Sequence, residues 1–370
     1  MNLSDFLNSC LNGGIAFASV KEPGKKVYTI PAELSQVRSV SDATLRQVEQ
    51  GFLVAPFKPG DQKWLIPIDH LHEGNFIPDT LLQQLKKDRS LVPFQKNPFD
   101  STLFPEYAAQ FKLFHQSLTS GELTKVVSSR RTLLEPLQEP DAYPLLFESL
   151  MQNYPFAFVY WIHIPGVMSF MGASPEVLLE WTNGEGHTMS LAGTMPVDSP
   201  MLWGEKEREE QAIVSRYIQT ILQEENLSVK VFPTEDKIAG RIKHLCTRYR
   251  FPLPSDRFLE LALRLHPTPA IAGIPMPEAV KLIEEVEHQS RRFYAGFAGL
   301  LRLPDQGSLF VSLRSMEIFS DALVLYTGGG LTVDSQLEKE WEETERKAET
   351  LLSIIEKIRK FARKQAHDQR

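Results

Sequence analysis

The sequence predicts one large α+β domain with a mostly antiparallel sheet, on three observations. Apolar, β-branched segments bounded by Gly and Pro recur along the chain, a pattern typical of strands. Helical segments are mixed among them without the regular alternation of a parallel βαβ sheet. No internal repeat or low-complexity linker divides the 370 residues, so a single domain is predicted over 1–370.

The first part of the chain, to about residue 105, contains three predicted strands separated by Pro- and Gly-bearing breaks. Their sequences are "GIAFASV", "KKVYTI" and "KWLIPI", and "PDTLLQQLKKD" is a short predicted helix. A longer helix, "PEYAAQFKLFHQSLTSG", follows and is ended by Gly121. The strand "LTKVVSSRRTLL" and the helix "AYPLLFESLMQNY" come next.

The second part contains two strand-rich hairpins that end in "SPEVLLEW" and "HTMSLAGTM". The segment "EKEREEQAIVSRYIQTILQEE" is a strongly predicted helix. Residues 307–333 predict two strands with Ser320-Asp321 at the turn, and a Glu-rich helix follows from Leu337.

Composition excludes several classes of function. The net charge is −7, and Lys and Arg form no long blocks, so a nucleic-acid partner is not expected. Cys10 and Cys246 have neither CxxC nor metal-type spacing, which favours free thiols in a reducing cytoplasm. The most apolar run, residues 155–173, is interrupted at Pro165-Gly166 and predicts two strands around a turn. No signal peptide or membrane segment is expected.

Two carboxylates extend the apolar stripe of the helix that begins at Glu205. Glu207 and Glu210 continue the line of Val214, Tyr217 and Ile221 at helical spacing. Buried carboxylates need a cation, a base or a water-filled site. The alternative is a first turn that emerges from the core, where acids suit the helix dipole. The pattern leaves both open.

The Glu-rich helix has its own sorted faces. Its apolar stripe consists of Leu337, Trp341, Thr344, Ala348, Leu351 and Leu352. The flank assigned to solvent consists of Glu338, Glu342, Glu345 and Glu349, and the opposite flank consists of Glu340, Glu343 and Lys347. Two helices thus each carry an E-x-x-E pair, and converging carboxylates suit Mg²⁺. Spacing alone leaves open whether the helices meet.

Two Gly-bearing segments allow similar double interpretations. In "LYTGGGLTV" exposed backbone N–H groups could bind an anion, or the glycines could form a tight loop. The segment "LRLHPTPAIAGIP" is predicted to be a loop, and its single histidine, His266, is either structural or functional.

Nine motifs in order resemble those of the chorismate-utilising enzymes. They are "KVVSSR", "SPEVLLE", "LAGT", "KEREEQ", "LHPTPAIAGIP", "RRFYAG", "SLRS", "LYTGGG" and "EWEETERK", across residues 115–352. The resemblance implies one α+β domain with antiparallel sheets in a β-sandwich-like core surrounded by helices. Residues 1–110 match loosely, as the variable N-terminal part does within that family.

The resemblance also implies a metal site. Glu210 and Glu343 match the residues that bind Mg²⁺, and Glu207 and Glu340 would be outer-shell or water-mediated acids. The ion would hold the ring carboxylate of chorismate.

Further roles follow from the same resemblance. Lys125 would take a proton from water as it attacks C2 of the ring, and must be neutral at least transiently. Glu176 would protonate the departing C4 hydroxyl, and burial would raise its pKa. The substrate-binding positions implied are Thr194, His266, Ala270, Tyr294, Arg314, Gly328, Gly330 and Lys347; among them Arg314 and Tyr294 match ligands of the enolpyruvyl carboxylate, and the glycines would offer backbone N–H groups.

Three positions discriminate among reactions of the family. Anthranilate synthases typically carry Gln in place of Lys125, and aminodeoxychorismate synthases carry Lys in place of Ala192, so water is the expected nucleophile. Ala270 favours isochorismate synthase over salicylate synthase, which tends to carry Thr there. A non-catalytic chorismate-binding subunit is the third alternative. Two departures from the family pattern are Met195, in place of Arg, and Gln211, in place of His.

The expected product is therefore isochorismate, made by a monomer without an obligate partner subunit. The pathway stays open, because menaquinone, siderophore and salicylate routes all begin with this reaction.

Overall fold

The computed structural model describes residues 1–87, 93–139, 141–240 and 242–368, with side chains to residue 360. Within these ranges the helices are α1 Leu3–Asn12, α2 Asp42–Leu45, α3 Asp79–Gln84, α4 Phe104–Thr119, α5 Ala142–Asn153, α6 Glu205–Glu224, α7 Phe258–Leu265, α8 Met276–Glu287 and α9 Leu337–Asp368.

The strands of the first half are β1 Ala16–Lys21, β2 Val27–Ala32, β3 Arg38–Val40, β4 Gln50–Ala55, β5 Lys63–Ile66, β6 His72–Glu73, β7 Lys125–Leu134, β8 Phe158–Ile164 and β9 Met168–Ser174. Those of the second half are β10 Val177–Thr182, β11 Glu185–Pro196, β12 Lys230–Val231, β13 Glu235–Ala239, β14 Ile242–Pro252, β15 Gly273–Ile274, β16 Phe297–Arg302, β17 Gln306–Val311, β18 Ser315–Ile318 and β19 Leu323–Leu331.

The strands form two sheets. The first has the order β15-β7-β19-β18-β9-β8-β1-β2-β6, and the second has the order β12-β14-β11-β10-β17-β16-β4-β5-β3, with β13 also paired to β14. Neighbouring strands of the described chain run antiparallel, for example β19 along β7 and β14 along β11. The predicted α+β class with antiparallel sheets is confirmed.

The main core lies between the sheets. Phe158 of the first sheet stacks on Phe310 of the second, with ring centroids 4.3 Å apart. The other face of the first sheet presents Trp161 and Val159 to a second core, which Phe147 of α5 and Ile355 of α9 complete. Each such side chain contributes about 1.5–3 kcal/mol on burial. The two sheets thus enclose the main core and helices cover the outer face of the first sheet, which is the β-sandwich-like arrangement that the resemblance implies.

The hairpin predicted for the most apolar run is confirmed. β8 and β9 pair in register from Phe158↔Ser174 to Ile164↔Met168. Gly166 has φ 72°, so the turn uses a conformation that glycine adopts without strain. None of the helices in the described ranges is long and apolar enough to cross a bilayer.

The prediction of two strands in residues 307–333 is wrong, because three strands are present. β17 belongs to the second sheet and β18 to the first, so the chain crosses between sheets after Val311. The crossing is made at Arg314, which has φ 47° and therefore cannot continue a strand. Apolar residues continue on both sides of the crossing and conceal the break in the sequence, although Phe310 of β17 packs in the main core and Met316 of β18 packs in the second core.

Candidate active site

The backbone N–H groups of Gly328 and Gly330 point past the end of a neighbouring strand. Gly328 and Gly330 lie opposite Ser129 and Val127 of β7. The Val127 N–H donates instead to the Ala272 carbonyl, 2.7 Å away, so Val127 faces away from β19. Ser129 faces the same way, because its N–H donates to Glu287 at 2.8 Å.

Residues opposite such positions in an antiparallel pair also point their backbone groups outward. The strand on that outer side, β18, begins only at Ser315, opposite Tyr326. The N–H groups of Gly328 and Gly330 therefore point beyond the end of β18, where a ligand can reach them.

A cavity of about 660 Å³, including its open mouth, occupies this region. The sequence-predicted residues that line it are Glu176, Thr194, Glu210, Ala270, Tyr294, Arg314, Gly328, Gly330 and Lys347. Further lining residues that the sequence did not indicate include Pro175, Leu191, His244, Tyr326 and Thr327.

Lys125, the first residue of β7, contacts Glu210 of α6, which lines the cavity. Its Nζ donates to Glu210 Oε1 at 2.8 Å, and the lysine side chain is fully buried. Gly330 makes the approach possible, since a Cβ there would lie 2.6 Å from Glu210 Oε1 and 2.9 Å from Lys125 Cε. The contact between Lys125 and Glu210 therefore requires a residue without a Cβ at position 330.

Glu340 and Glu343 of α9 approach strand β19 at Gly329. A Cβ at Gly329 would lie 3.5 Å from Glu340 Oε2 and 3.9 Å from Glu343 Oε1. Glu343 pairs with Lys347 at 2.7 Å, and Lys347 Nζ also donates to the Gly328 carbonyl at 2.8 Å. Burial favours a raised pKa for Glu343, but Lys347 and nearby cations hold its pKa below its ordinary value.

Glu340 is more deeply buried, with 1% of its surface exposed. Its Oε1 accepts a hydrogen bond from Lys206 of α6 at 2.7 Å, and its Oε2 is buried without a hydrogen-bond partner. Burial raises the pKa of Glu340, an effect that Lys206 opposes and Glu343 reinforces. The two E-x-x-E helices therefore do meet, which spacing alone left open.

The remaining acids of α9 lie where the helical faces placed them. Glu338, Glu342, Glu345 and Glu349 are exposed. Helical periodicity therefore separated the exposed flank of α9 from the flank that carries Glu340 and Glu343.

The acids suit Mg²⁺ in donor chemistry, since hard cations prefer carboxylate oxygens. The unpartnered, buried Oε2 of Glu340 is an available ligand atom of this kind. Across the described ranges, however, no three His, Cys, Asp or Glu side chains are grouped closely enough to hold an ion. Instead, Glu210, Glu340 and Glu343 each contact a lysine. An ion would replace those contacts.

Glu207 differs from the other predicted acids. Its Oε2 accepts a hydrogen bond from the Gly204 N–H at 3.1 Å, which caps the N-terminus of its own helix. It does not line the cavity. The structure thus favours, for this residue, the alternative of an acid serving the helix terminus.

Glu176 lies between β9 and β10 and is 3% exposed. Burial raises its pKa to about 7, and Lys125, Lys237, Thr268 and Arg314 oppose the shift. A substantial fraction of the side chain is therefore protonated at neutral pH, in the direction that an acid catalyst needs.

Arg314 is held by a histidine that sequence analysis missed. Arg314 Nη2 lies 3.2 Å from His244 Nε2, and His244 Nδ1 lies 2.6 Å from the Gly193 carbonyl. A carbonyl can only accept, so Nδ1 carries the proton and Nε2 accepts from Arg314. Burial, followed by the Arg314 charge, lowers the pKa of His244 to about 3, which keeps the ring neutral.

Two other predicted residues occupy adjoining walls. Thr194 Oγ1 lies 3.5 Å from His244 Nδ1. Tyr294 stacks on Tyr326 with ring centroids 5.5 Å apart. A Cβ at Gly328 would lie 2.8 Å from the Tyr294 hydroxyl, so this glycine too is required by a close approach.

His266, predicted from the resemblance to bind substrate, is not among the residues that line this cavity. His266 Nε2 lies 3.2 Å from the Pro56 carbonyl and 3.1 Å from the Phe57 carbonyl. Its ring packs edge-on to Phe297. Burial lowers its pKa to about 4. His266 joins the end of α7 to the end of β4, a structural role.

The two departures from the family pattern are both buried. Gln211 Nε2 donates to Ser190 Oγ at 2.9 Å and to Thr247 Oγ1 at 3.0 Å, so it ties α6 to β11 and β14. Met195 is 7% exposed and lies on β11 beside a shift in register with β14.

Comparison with known proteins identifies the class. Residues 72–356 match the family model described as chorismate binding enzyme. The chain belongs to this family, which confirms the resemblance carried by the nine motifs.

Among curated relatives, isochorismate synthase MenF of Haemophilus influenzae is 31% identical over 250 residues, which are 64% of this chain and 57% of that protein. The salicylate biosynthesis isochorismate synthase of Pseudomonas aeruginosa is 32% identical over 62% of this chain and 50% of its own length. The chain thus matches between half and three-fifths of the length of these relatives.

Solved structures show the same fold. The putative 2,3-dihydroxybenzoate-specific isochorismate synthase DhbC of Bacillus anthracis superposes with a TM-score of 0.77 at 22% identity, over 95% of this chain and 99% of that one. Anthranilate synthase component I of Streptococcus pneumoniae superposes with a TM-score of 0.64 at 19% identity, over 90% and 89% of the two chains.

Proposed function

We propose that this protein is an isochorismate synthase, which converts chorismate to isochorismate with Mg²⁺. The observation that carries the proposal is one cavity lined by a buried, partly protonated carboxyl, Glu176, and by Glu210, which pairs with the buried ammonium of Lys125. Membership of the chorismate-binding family and the names of its relatives support the substrate and the reaction.

The substrate carboxylates have separate partners in this proposal. Arg314, oriented by neutral His244, offers a guanidinium to the enolpyruvyl carboxylate, beside the Tyr294 hydroxyl. Charge-assisted hydrogen bonds of this kind are stronger than neutral ones. The outward N–H groups of Gly328 and Gly330, with Lys347 nearby, offer donors to a second carboxylate.

Two proton transfers complete the reaction. Lys125 Nζ takes a proton from water as the water oxygen bonds to C2. The ring double bonds shift, the C4–O bond breaks, and Glu176 gives its proton to the departing oxygen, so that water is consumed and released in equal number. Lys125 can act as the base only when Nζ is unprotonated.

Glu210 and Glu343 would hold the Mg²⁺, with Glu340 behind them. When bound, the ion supplies positive charge that neutralises the ring carboxylate of the substrate.

The direct test is to incubate the protein with chorismate and Mg²⁺ and to separate the products. Isochorismate alone is expected. Salicylate with pyruvate would indicate salicylate synthase, and no product would indicate a non-catalytic chorismate-binding subunit.

A Lys125→Ala variant tests the base directly. Loss of a general base lowers the rate by about 10²- to 10⁴-fold. The control is Lys58→Ala, since Lys58 pairs with Glu284 outside the cavity. A Lys125→Ala protein with full activity would exclude the proposed mechanism.

We further propose that the protein acts as a cytoplasmic monomer. Size-exclusion chromatography with light scattering checks the oligomeric state, and a dimer mass would contradict it.

A further inference from the structure

One lysine of α6 reaches the acids of α9. Lys206 Nζ donates to Glu340 Oε1 at 2.7 Å, and within the described ranges this is the one ion pair that joins the two helices. The Lys206 side chain is 37% exposed, whereas that of Glu340 is 2% exposed. The lysine thus joins the solvent to a buried acid of α9.

The Lys206 ammonium contacts an acid that lies beside a second one. A Cβ at Gly329 would lie 3.5 Å from Glu340 Oε2 and 3.9 Å from Glu343 Oε1, so both carboxylates approach the same point of the glycine strand. Each of the three lysines donates to one acid: Lys125 to Glu210, Lys206 to Glu340 and Lys347 to Glu343.

We infer that Lys206 is an internal counter-cation that competes with the divalent ion for the carboxylates of α6 and α9. The inference rests on the proposed function, because it takes Glu210, Glu340 and Glu343 as the carboxylates that receive the ion. It assigns to Lys206 a role in ion binding separate from the two proton transfers.

The charge of Lys206 has opposite effects on the ion-free and the ion-bound protein. Without the ion, Lys206 compensates the charge of buried Glu340, and an uncompensated buried carboxylate is costly. With the ion, two cations lie near the same acids and repel each other. The exposed stem of Lys206 allows its ammonium to leave toward water when an ion arrives. Removing the charge should therefore lower the stability of the ion-free protein and raise its affinity for the ion.

The test uses the whole chain in three forms: wild type, Lys206→Met and Lys206→Arg. Mn²⁺ binding is measured by electron paramagnetic resonance of the free ion, and Mg²⁺ by competition against Mn²⁺. Lys206→Met is expected to bind Mn²⁺ about five- to tenfold more tightly. Lys206→Arg keeps the charge and is expected to bind as the wild type does. Lys58→Met, which also breaks a lysine–glutamate pair, is the matched control.

Thermal melting supplies a second readout. In EDTA, Lys206→Met is expected to melt below the wild type, because Glu340 has lost its cation. Saturating Mg²⁺ should raise the melting temperature of Lys206→Met more than that of the wild type, since ligand binding stabilises in proportion to affinity. A purely structural lysine would lower stability in both conditions equally.

Two results would overturn the inference, and they are distinguishable. If the wild type binds Mn²⁺ and Lys206→Met binds it equally or more weakly, Lys206 does not compete with the ion, and the proposed function is unaffected. If neither protein binds a divalent ion, both the assignment of the ion site and the role of Lys206 are wrong.

Discussion

Two clusters of buried charge lie beside strand β7 and differ in how completely they are satisfied. In the structural cluster, formed by Ser129, Glu287 and Arg291, Glu287 accepts four hydrogen bonds. Two come from Ser129, through N–H at 2.8 Å and Oγ at 2.9 Å. Two come from Arg291, through Nε at 2.8 Å and Nη2 at 2.5 Å. The other Arg291 donors reach the carbonyls of Ile271 and Val127.

The acidic cluster, formed by Glu210, Glu340 and Glu343, is only partly satisfied. Its acids pair with lysines, and Glu340 Oε2 has no partner. Buried polar groups are nearly always hydrogen-bonded in folded proteins. The contrast teaches that two clusters of buried charge can differ in how completely their hydrogen bonds are satisfied, and that the acidic cluster retains a free carboxylate oxygen.

The largest effect is expected at the cavity, in Glu176→Gln. The amide cannot give a proton to the departing oxygen, so turnover should fall about 10²- to 10⁴-fold while the fold is retained. Steady-state kinetics with circular dichroism would measure both. Glu180→Gln, on β10 and outside the lining of the cavity, is the control. Wild-type turnover in Glu176→Gln would remove the general acid from the proposal.

The structural cluster should respond in stability. Arg291→Met leaves Glu287 buried without its cation, and we expect the free energy of unfolding to fall by about 3–5 kcal/mol. Urea denaturation measures the change. The matched control, Arg216→Met, breaks an exposed pair with Glu209 and should cost about 0–1 kcal/mol. If both variants lose the same small amount, the comparison between buried clusters has no energetic basis.

The pH dependence of activity gives a second test of Glu176. Glu176 must be protonated, and with its pKa at about 7, kcat/KM should fall roughly tenfold per pH unit above that value. The raised pKa also favours the folded state at pH below the ordinary 4.5, and this contribution is lost as the pH rises through about 7. A pH–rate profile from 5 to 9 checks the first effect, and activity that keeps rising to pH 9 would contradict it.

The smallest effect on stability is expected in Glu340→Gln. Its amide oxygen can still accept from Lys206, so the ion-free protein should change by less than about 1 kcal/mol. Mn²⁺ affinity should nevertheless fall severalfold, because a carboxylate is lost. Glu338→Gln, on the exposed flank of the same helix, should change neither quantity. An unchanged Mn²⁺ affinity in Glu340→Gln would place that acid outside the ion site.

Much of the local structure could be predicted from the sequence. The helix 205–225 was expected and is Glu205–Glu224, and the strand 123–134 was expected and is Lys125–Leu134. Elements without a clear local pattern, such as α1, β14 and β16, were not predicted. The break at Arg314 was hidden because β17 and β18 are both rich in apolar residues, although these residues pack in two different cores.

The sequence by itself determined which face of each helix carries the relevant acids, because 3.6-residue periodicity is a local property. It separated Glu340 and Glu343 from the exposed acids of α9. Only the tertiary structure decided that α6 and α9 meet, that His244 holds Arg314, and that His266 lies outside the cavity. Those facts depend on pairing between segments far apart in the chain, β7 with β19 and β11 with β14, and no local pattern encodes such pairing.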